Sequence, residues 1–90
     1  MLKVVELHNI NDGAPAQWQG YDSDEKPVYV RYRDGYLSVC VGQRGDSIFS
    51  AVYGSEVFGR QVGDAHSDMI DFAELKAITA GVIEWPDENV

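Results

Sequence analysis

Ninety residues with 15 Asp and Glu against 7 Lys and Arg, a formal net charge of -8, make one domain with a modest core. A chain of this size buries only about 60% of the surface its unfolded form exposes, which leaves no room for a second domain over residues 1–90. The acidity works against direct contact with nucleic-acid phosphates or anionic membrane and favours a basic protein partner, although it also serves plain solubility. No apolar run approaches the roughly 20 residues of a membrane span, the first residues lack a signal-peptide pattern, and a single cysteine, Cys40, forbids an internal disulfide; the expected location is cytoplasmic.

Residues 2–7 alternate and are rich in β-branched side chains, which predicts a first strand near a sheet edge. Residues 8–15 carry turn chemistry, centred on Asp12-Gly13 and Pro15. Residues 16–21 alternate again around Trp18, the best candidate for a large core anchor in this part of the chain. An acidic turn, 22–26, then leads to Pro27.

Residues 27–41 give the firmest local prediction in the chain, a β-hairpin. Asp34-Gly35 tolerates the positive φ angles of a two-residue type I′ turn, which sets Arg33 opposite Tyr36 and Val28 opposite Val41. One face of the hairpin then carries Val28, Val30, Tyr32, Leu37, Val39 and Val41, a core set. The other carries Tyr29, Arg31, Arg33, Tyr36, Ser38 and Cys40, and is wet or an interface.

Residues 42–46 read as a loop and 47–53 as a strand with apolar side chains on both faces. Residues 54–65 hold three glycines and fit either a distorted last strand or a mobile loop. Ser67 or Asp68 can cap a helix over 69–80, with Phe72, Leu75, Ile78 and Val82 as its core stripe and Gly81 as its stop. Residues 82–85 can add a short closing strand before an acidic tail at 87–90. The fold class is therefore α+β: an antiparallel meander of four to six strands with the C-terminal helix packed on one face, a small barrel plus helix being the alternative.

No motif names a chemistry. Residues 22–33 start like a calcium loop, but Pro27 and Arg33 stand where the loop needs Gly and Glu. Residues 54–61 have the glycine spacing of a phosphate loop with Arg60 and Gln61 in place of its Lys and Ser/Thr, and Arg44-Gly45-Asp46 is explained as a turn. Cys40, His8 and His66 are the only nucleophile or soft-metal candidates, and their scatter matches no ligand spacing, so neither metal nor cofactor is expected. A small enzyme or ligand-binding protein using Cys40 with His8 or His66 is the alternative reading; an in-strand cysteine more often serves as a small hydrophobe.

Two surfaces invite a protein partner. Tyr29, Arg31, Arg33 and Tyr36 set two guanidinium groups between aromatic rings, a composition enriched at interaction hot spots, against the plainer reading of cross-strand decoration. Asp64, Asp68, Asp71 and Glu74 form an acidic side suited to a basic groove, although acids near a helix start also stabilise the helix itself.

The block WQG at 18–20, KPVYVRYR at 26–33 and GYLSV at 35–39 resembles the aromatic and arginine-rich hairpin of small phage and prophage proteins. In size and acidity the chain is also similar to anti-CRISPR proteins. That resemblance implies a non-enzymatic inhibitor in a bacterial or phage-infected cell, blocking a basic nucleic-acid-handling protein without touching nucleic acid itself; it assigns no residue a role. Self-association as a homodimeric structural subunit is the third reading.

Overall fold

A computed structural model describes residues 1–11 and 14–87. Six strands, β1 (Leu2–Asn11), β2 (Ala16–Asp22), β3 (Pro27–Arg33), β4 (Tyr36–Val41), β5 (Ser55–Gln61) and β6 (Ile83–Glu84), form one curled mixed sheet in the order β5-β4-β3-β2-β1-β6, with one short helix, α1 (Phe72–Ile78). The first five strands run antiparallel in sequence order, as the alternation implies. β6 departs from the meander: it pairs parallel to β1, Leu2 with Ile83 and Lys3 with Glu84. Side-chain periodicity carries no strand direction, and here the connection from β5 crosses to the far edge of the sheet, the route a parallel pairing needs.

The hairpin has the expected register, from Arg33–Tyr36 to Val28–Val41. Asp34 and Gly35 both take positive φ, 54° and 76°, as a type I′ turn requires. Val28, Val30, Tyr32, Leu37 and Val39 are buried and join Trp18, Val4, Leu7, Ala16, Leu75 and Ile83 in one core, with Val41, Phe58, Phe72, Ile78 and Trp85 packed against it.

Three elements differ from the sequence reading, and a fourth takes one of its two expected forms. β1 runs on to Asn11, through residues that carry turn chemistry, with irregularities at Val4/Glu6 and Asn9/Asn11; Asp12-Gly13 lies outside the described residues, as does most of the tail. The strand expected at 47–53 is a 3-10 helix, Ile48–Tyr53. Ser47 caps it by accepting from the Phe49 N–H, only Ala51 is buried, and Phe49 and Tyr53 face solvent. A run that is apolar at all but one position suits a buried strand or a turn of helix equally, and the Ser47 cap accompanies the helical turn.

The glycine-rich stretch at 54–65 contains an ordered edge strand, β5, bulged opposite Val39/Cys40. A bulge with Glu56 and Arg60 on the strand discourages edge-to-edge pairing. The helix is shorter than 69–80 and starts later: Asp71, not Ser67 or Asp68, is its N-cap. Asp71 accepts from the Glu74 N–H while Glu74 accepts from the Asp71 N–H, a complete capping box that outcompetes the earlier candidates. Gly81 does adopt the positive φ, 82°, expected beyond a helix end, whereas Val82 is exposed and leaves the core stripe.

The buried hydroxyl of Thr79 donates to the Leu75 carbonyl (2.8 Å) and accepts from Trp85 Nε1 (2.7 Å), fastening the end of α1 to the chain beyond β6. Among the described residues no helix is long and apolar enough to cross a membrane.

Candidate functional site

The strand registers arrange the outer face of the sheet in rows. One row runs Asn11, Gln17, Arg31, Ser38, Gly59; the next runs His8, Gln19, Tyr29, Cys40, Glu56. Arg33 and Tyr36 close the pattern at the hairpin tip, so Tyr29, Arg31, Arg33 and Tyr36 share one continuous face, as the alternation predicts. Tyr29 and Arg31 are half-buried; Arg33 and Tyr36 are exposed.

Arg31 is the unusual member. It has no carboxylate within ion-pair distance among the described residues, and its Nε is enclosed without a protein acceptor. Among the described residues Arg33 has only a long contact to Asp34, Nε to Oδ2 at 3.9 Å with both groups exposed, which contributes little. The Tyr36 hydroxyl donates to Glu56 Oε1 at 3.0 Å, its oxygen lying over Gly59, where a Cβ would stand 2.1 Å away. Glycine at 59 is therefore what lets the tyrosine reach across β5.

Titration behaviour follows from these contacts. The Tyr36 phenol is raised by its hydrogen bond to Glu56. Tyr29 is raised by burial, partly opposed by the Arg31 charge. Burial, with the Glu56 carboxylate opposite on β5, also raises the Cys40 thiol, so the neutral form dominates near pH 7.

The cysteine–histidine alternative meets a geometric obstacle. His8 is three strands from Cys40, roughly 14 Å at normal strand spacing, and hydrogen-bonds Glu6 at 2.8 Å. His66 adjoins Ser67, whose carbonyl accepts from Gly35 N–H at the hairpin tip. Cys40 lies five residues down β4 from that tip, about 17 Å away. The three residues are not brought together.

The acidic side is largely occupied by the fold's own hydrogen bonds. Asp64 accepts from His66 N–H (2.9 Å) and Asp68 from Asp34 N–H (2.9 Å), while Asp71 and Glu74 form the capping box. Asp64, Asp71 and Glu74 remain exposed, so their charge still faces solvent.

The sequence reading missed what holds the hairpin tip. Gly35 N–H donates to the Ser67 carbonyl at 2.7 Å, the Gly35 carbonyl accepts from Val62 and Gly63, and Gln61 Nε2 donates to the Asp34 and Gly63 carbonyls. Tyr32 Oη meets Ser67 Oγ at 2.7 Å. Apart from the Gln61–Gly63 bond, no local signal marks these pairings, because their partners lie about thirty residues apart.

The short motifs are accounted for by the backbone. The Asp22 carboxylate accepts from Asp24 and Lys26 N–H in its own turn, and the spacing that mimics a phosphate loop lies on extended β5. Among the described residues no group of three or more His, Cys, Asp or Glu is placed to hold a metal ion.

The fold and face together define a small six-stranded sheet protein with a tyrosine-arginine surface. No protein family, curated protein or solved structure matches the chain significantly.

Proposed function

We propose that this chain is a non-catalytic protein-binding module whose contact surface is the outer hairpin face, Tyr29, Arg31, Arg33 and Tyr36. The observation that carries this reading is Arg31: a half-buried guanidinium without a carboxylate partner among the described residues, on a face shared with two tyrosines. A partner's acceptor on the accessible side of that guanidinium would add a hydrogen bond to a charged group, worth about 1.5–3 kcal/mol. In this reading the inner face is taken up by the core under α1, which leaves the outer face for the partner.

The mobile-element inhibitor is the particular form of this reading in which a basic nucleic-acid-handling protein is the target, in the cytoplasm of a bacterial or phage-infected cell. The net charge of -8 and the exposed Asp64, Asp71 and Glu74 favour such a target on the acidic side.

The experiment is a tagged pull-down from nuclease-treated bacterial lysate at low and high salt, comparing three chains. Arg31→Glu with Arg33→Glu reverses the hairpin-face charge, and Asp71→Asn with Glu74→Gln removes two of the four charges of the acidic side while keeping a cap. Capture lost only in the arginine pair supports the hairpin face. Capture lost only in the carboxylate pair moves the contact to the acidic side, and a protein that recovers only itself supports self-association.

A further inference from the structure

Arg31, Arg33, Asp34, Tyr36 and Ser38 line an open concavity of about 250 Å³ at the tip of the hairpin. Ser38 stands directly opposite Arg31, and Tyr36 opposite Arg33, so two guanidinium groups and a hydroxyl border the same space. The geometry points to a socket for a single carboxylate, an Asp or Glu side chain of the protein partner, held by Arg31 and Arg33. This inference rests on the reading of the hairpin face as the contact surface and names the group that meets it.

Three features select a carboxylate. A guanidinium presents parallel N–H donors that match the two oxygens of a planar carboxylate, and such charge-assisted pairs are the strong ones. Arg31 lines the concavity and makes no ion pair among the described residues, so a carboxylate that reaches its guanidinium there displaces no existing charge partner. Asp34 on the rim, in a chain of net charge -8, penalises a phosphate dianion more than a carboxylate monoanion. The same charge disfavours an extended polyanion such as nucleic acid, while one carboxylate on an otherwise neutral or basic surface meets no such barrier.

The test uses the whole chain labelled with nitrogen-15, because arginine Nε–H groups give their own correlation signals. Sodium acetate is the probe, with sodium chloride and sodium phosphate titrated at matched ionic strength. Acetate is expected to move the Arg31 Nε–H signal saturably, Arg33→Ala to weaken that response about tenfold, as for loss of one charged hydrogen bond, and chloride to leave the signal in place. Arg31→Lys keeps the charge and removes the fork; read at the Arg33 Nε–H signal, which acetate moves saturably in the parent, it should abolish saturable binding while the backbone spectrum stays native.

No acetate response, an equal response to chloride, or phosphate saturating at lower concentration than acetate would each overturn the socket. If the arginine pair Arg31→Glu, Arg33→Glu loses its partner while acetate moves nothing, the socket fails and the contact face stands. If that variant keeps its partner while acetate binds the original chain normally, the contact-face reading is overturned, and the partner's side chain as ligand with it.

Discussion

Replacing Gly35 by alanine tests how tightly the hairpin tip is built into the rest of the molecule. Two separate costs arise. The first is conformational: φ at Gly35 is 76°, and a side chain in the left-handed region costs about 1–2 kcal/mol. The second is steric, since an added Cβ would stand 2.3 Å from the Gly63 carbonyl oxygen and 2.4 Å from that of Asp64, well inside any real contact. The backbone at 62–64 must move, straining the Gly35 bonds to Val62, Gly63 and Ser67, each worth about 0.5–1.5 kcal/mol.

Together these give a loss of about 3–5 kcal/mol, a large share of the 5–15 kcal/mol of an ordinary domain. Gly81→Ala is the matched control: φ is 82°, and nothing lies within 4 Å of the added carbon, so only the conformational cost applies. Urea unfolding of both variants, followed by tryptophan fluorescence, separates the terms. If Gly35→Ala loses no more than Gly81→Ala, the clasp of residues 62–68 on the turn yields freely, and the packing argument fails.

Three further outcomes are expected. Asp71→Ala should destabilise the chain by about 0.5–2 kcal/mol and Asp71→Asn by much less, because asparagine also caps; urea midpoints showing equal losses would mean that charge rather than capping matters there. The raised pKa values of Cys40, Tyr29 and Tyr36 mean that the folded chain holds these protons more tightly than the unfolded one. Their contribution is thus complete below the unfolded values and is lost as pH rises through the folded ones, from about pH 9 upward. Stability in urea measured from pH 7 to 11 should fall in Cys40→Ser less than in the parent, and iodoacetamide should label native Cys40 several-fold more slowly than the unfolded chain at pH 7.

Local chemistry made much of this architecture legible. Asp34-Gly35 and the strict alternation around it specify turn, register and faces at once, because a one-residue slip would exchange core for solvent along the whole hairpin. Trp18 and Leu75 could be placed in the core for the same periodic reason. What was not legible is non-local or degenerate. The run at 48–53 is apolar at every position but one, so periodicity cannot separate strand from helix. Ser67, Asp68 and Asp71 are all good caps, and only the reciprocal bond from Glu74 selects the last. The direction of β6 depends on where the crossing chain arrives, which no stretch of sequence encodes.

The candidate face divides along the same line. That Tyr29, Arg31, Arg33 and Tyr36 share a surface follows from alternation; that Arg31 lacks an acceptor while Tyr36 has Glu56 depends on pairing with β5, whose register bulges. The acidic side was visible as charge, but its hydrogen bonds to backbone N–H groups were not. Asp68 in particular belongs to the hairpin turn, thirty-four residues away in the chain.

A hairpin tip is ordinarily the place where a protein accepts an inserted tag or a protease cut, because it projects into solvent and touches nothing. Here Gly35 is buried and the turn is clasped by later chain, whereas a Cβ added at Gly45 meets nothing within 4 Å and the side-chain link from that loop is an exposed Arg44 bond to the Asp24 carbonyl. The two obvious turns of this small molecule are therefore not interchangeable as engineering handles. An epitope or fluorophore grafted at residues 43–46 would give up at most the exposed Arg44 contacts to Asp24, while the same graft at Asp34-Gly35 would part the hairpin from the segment that completes it.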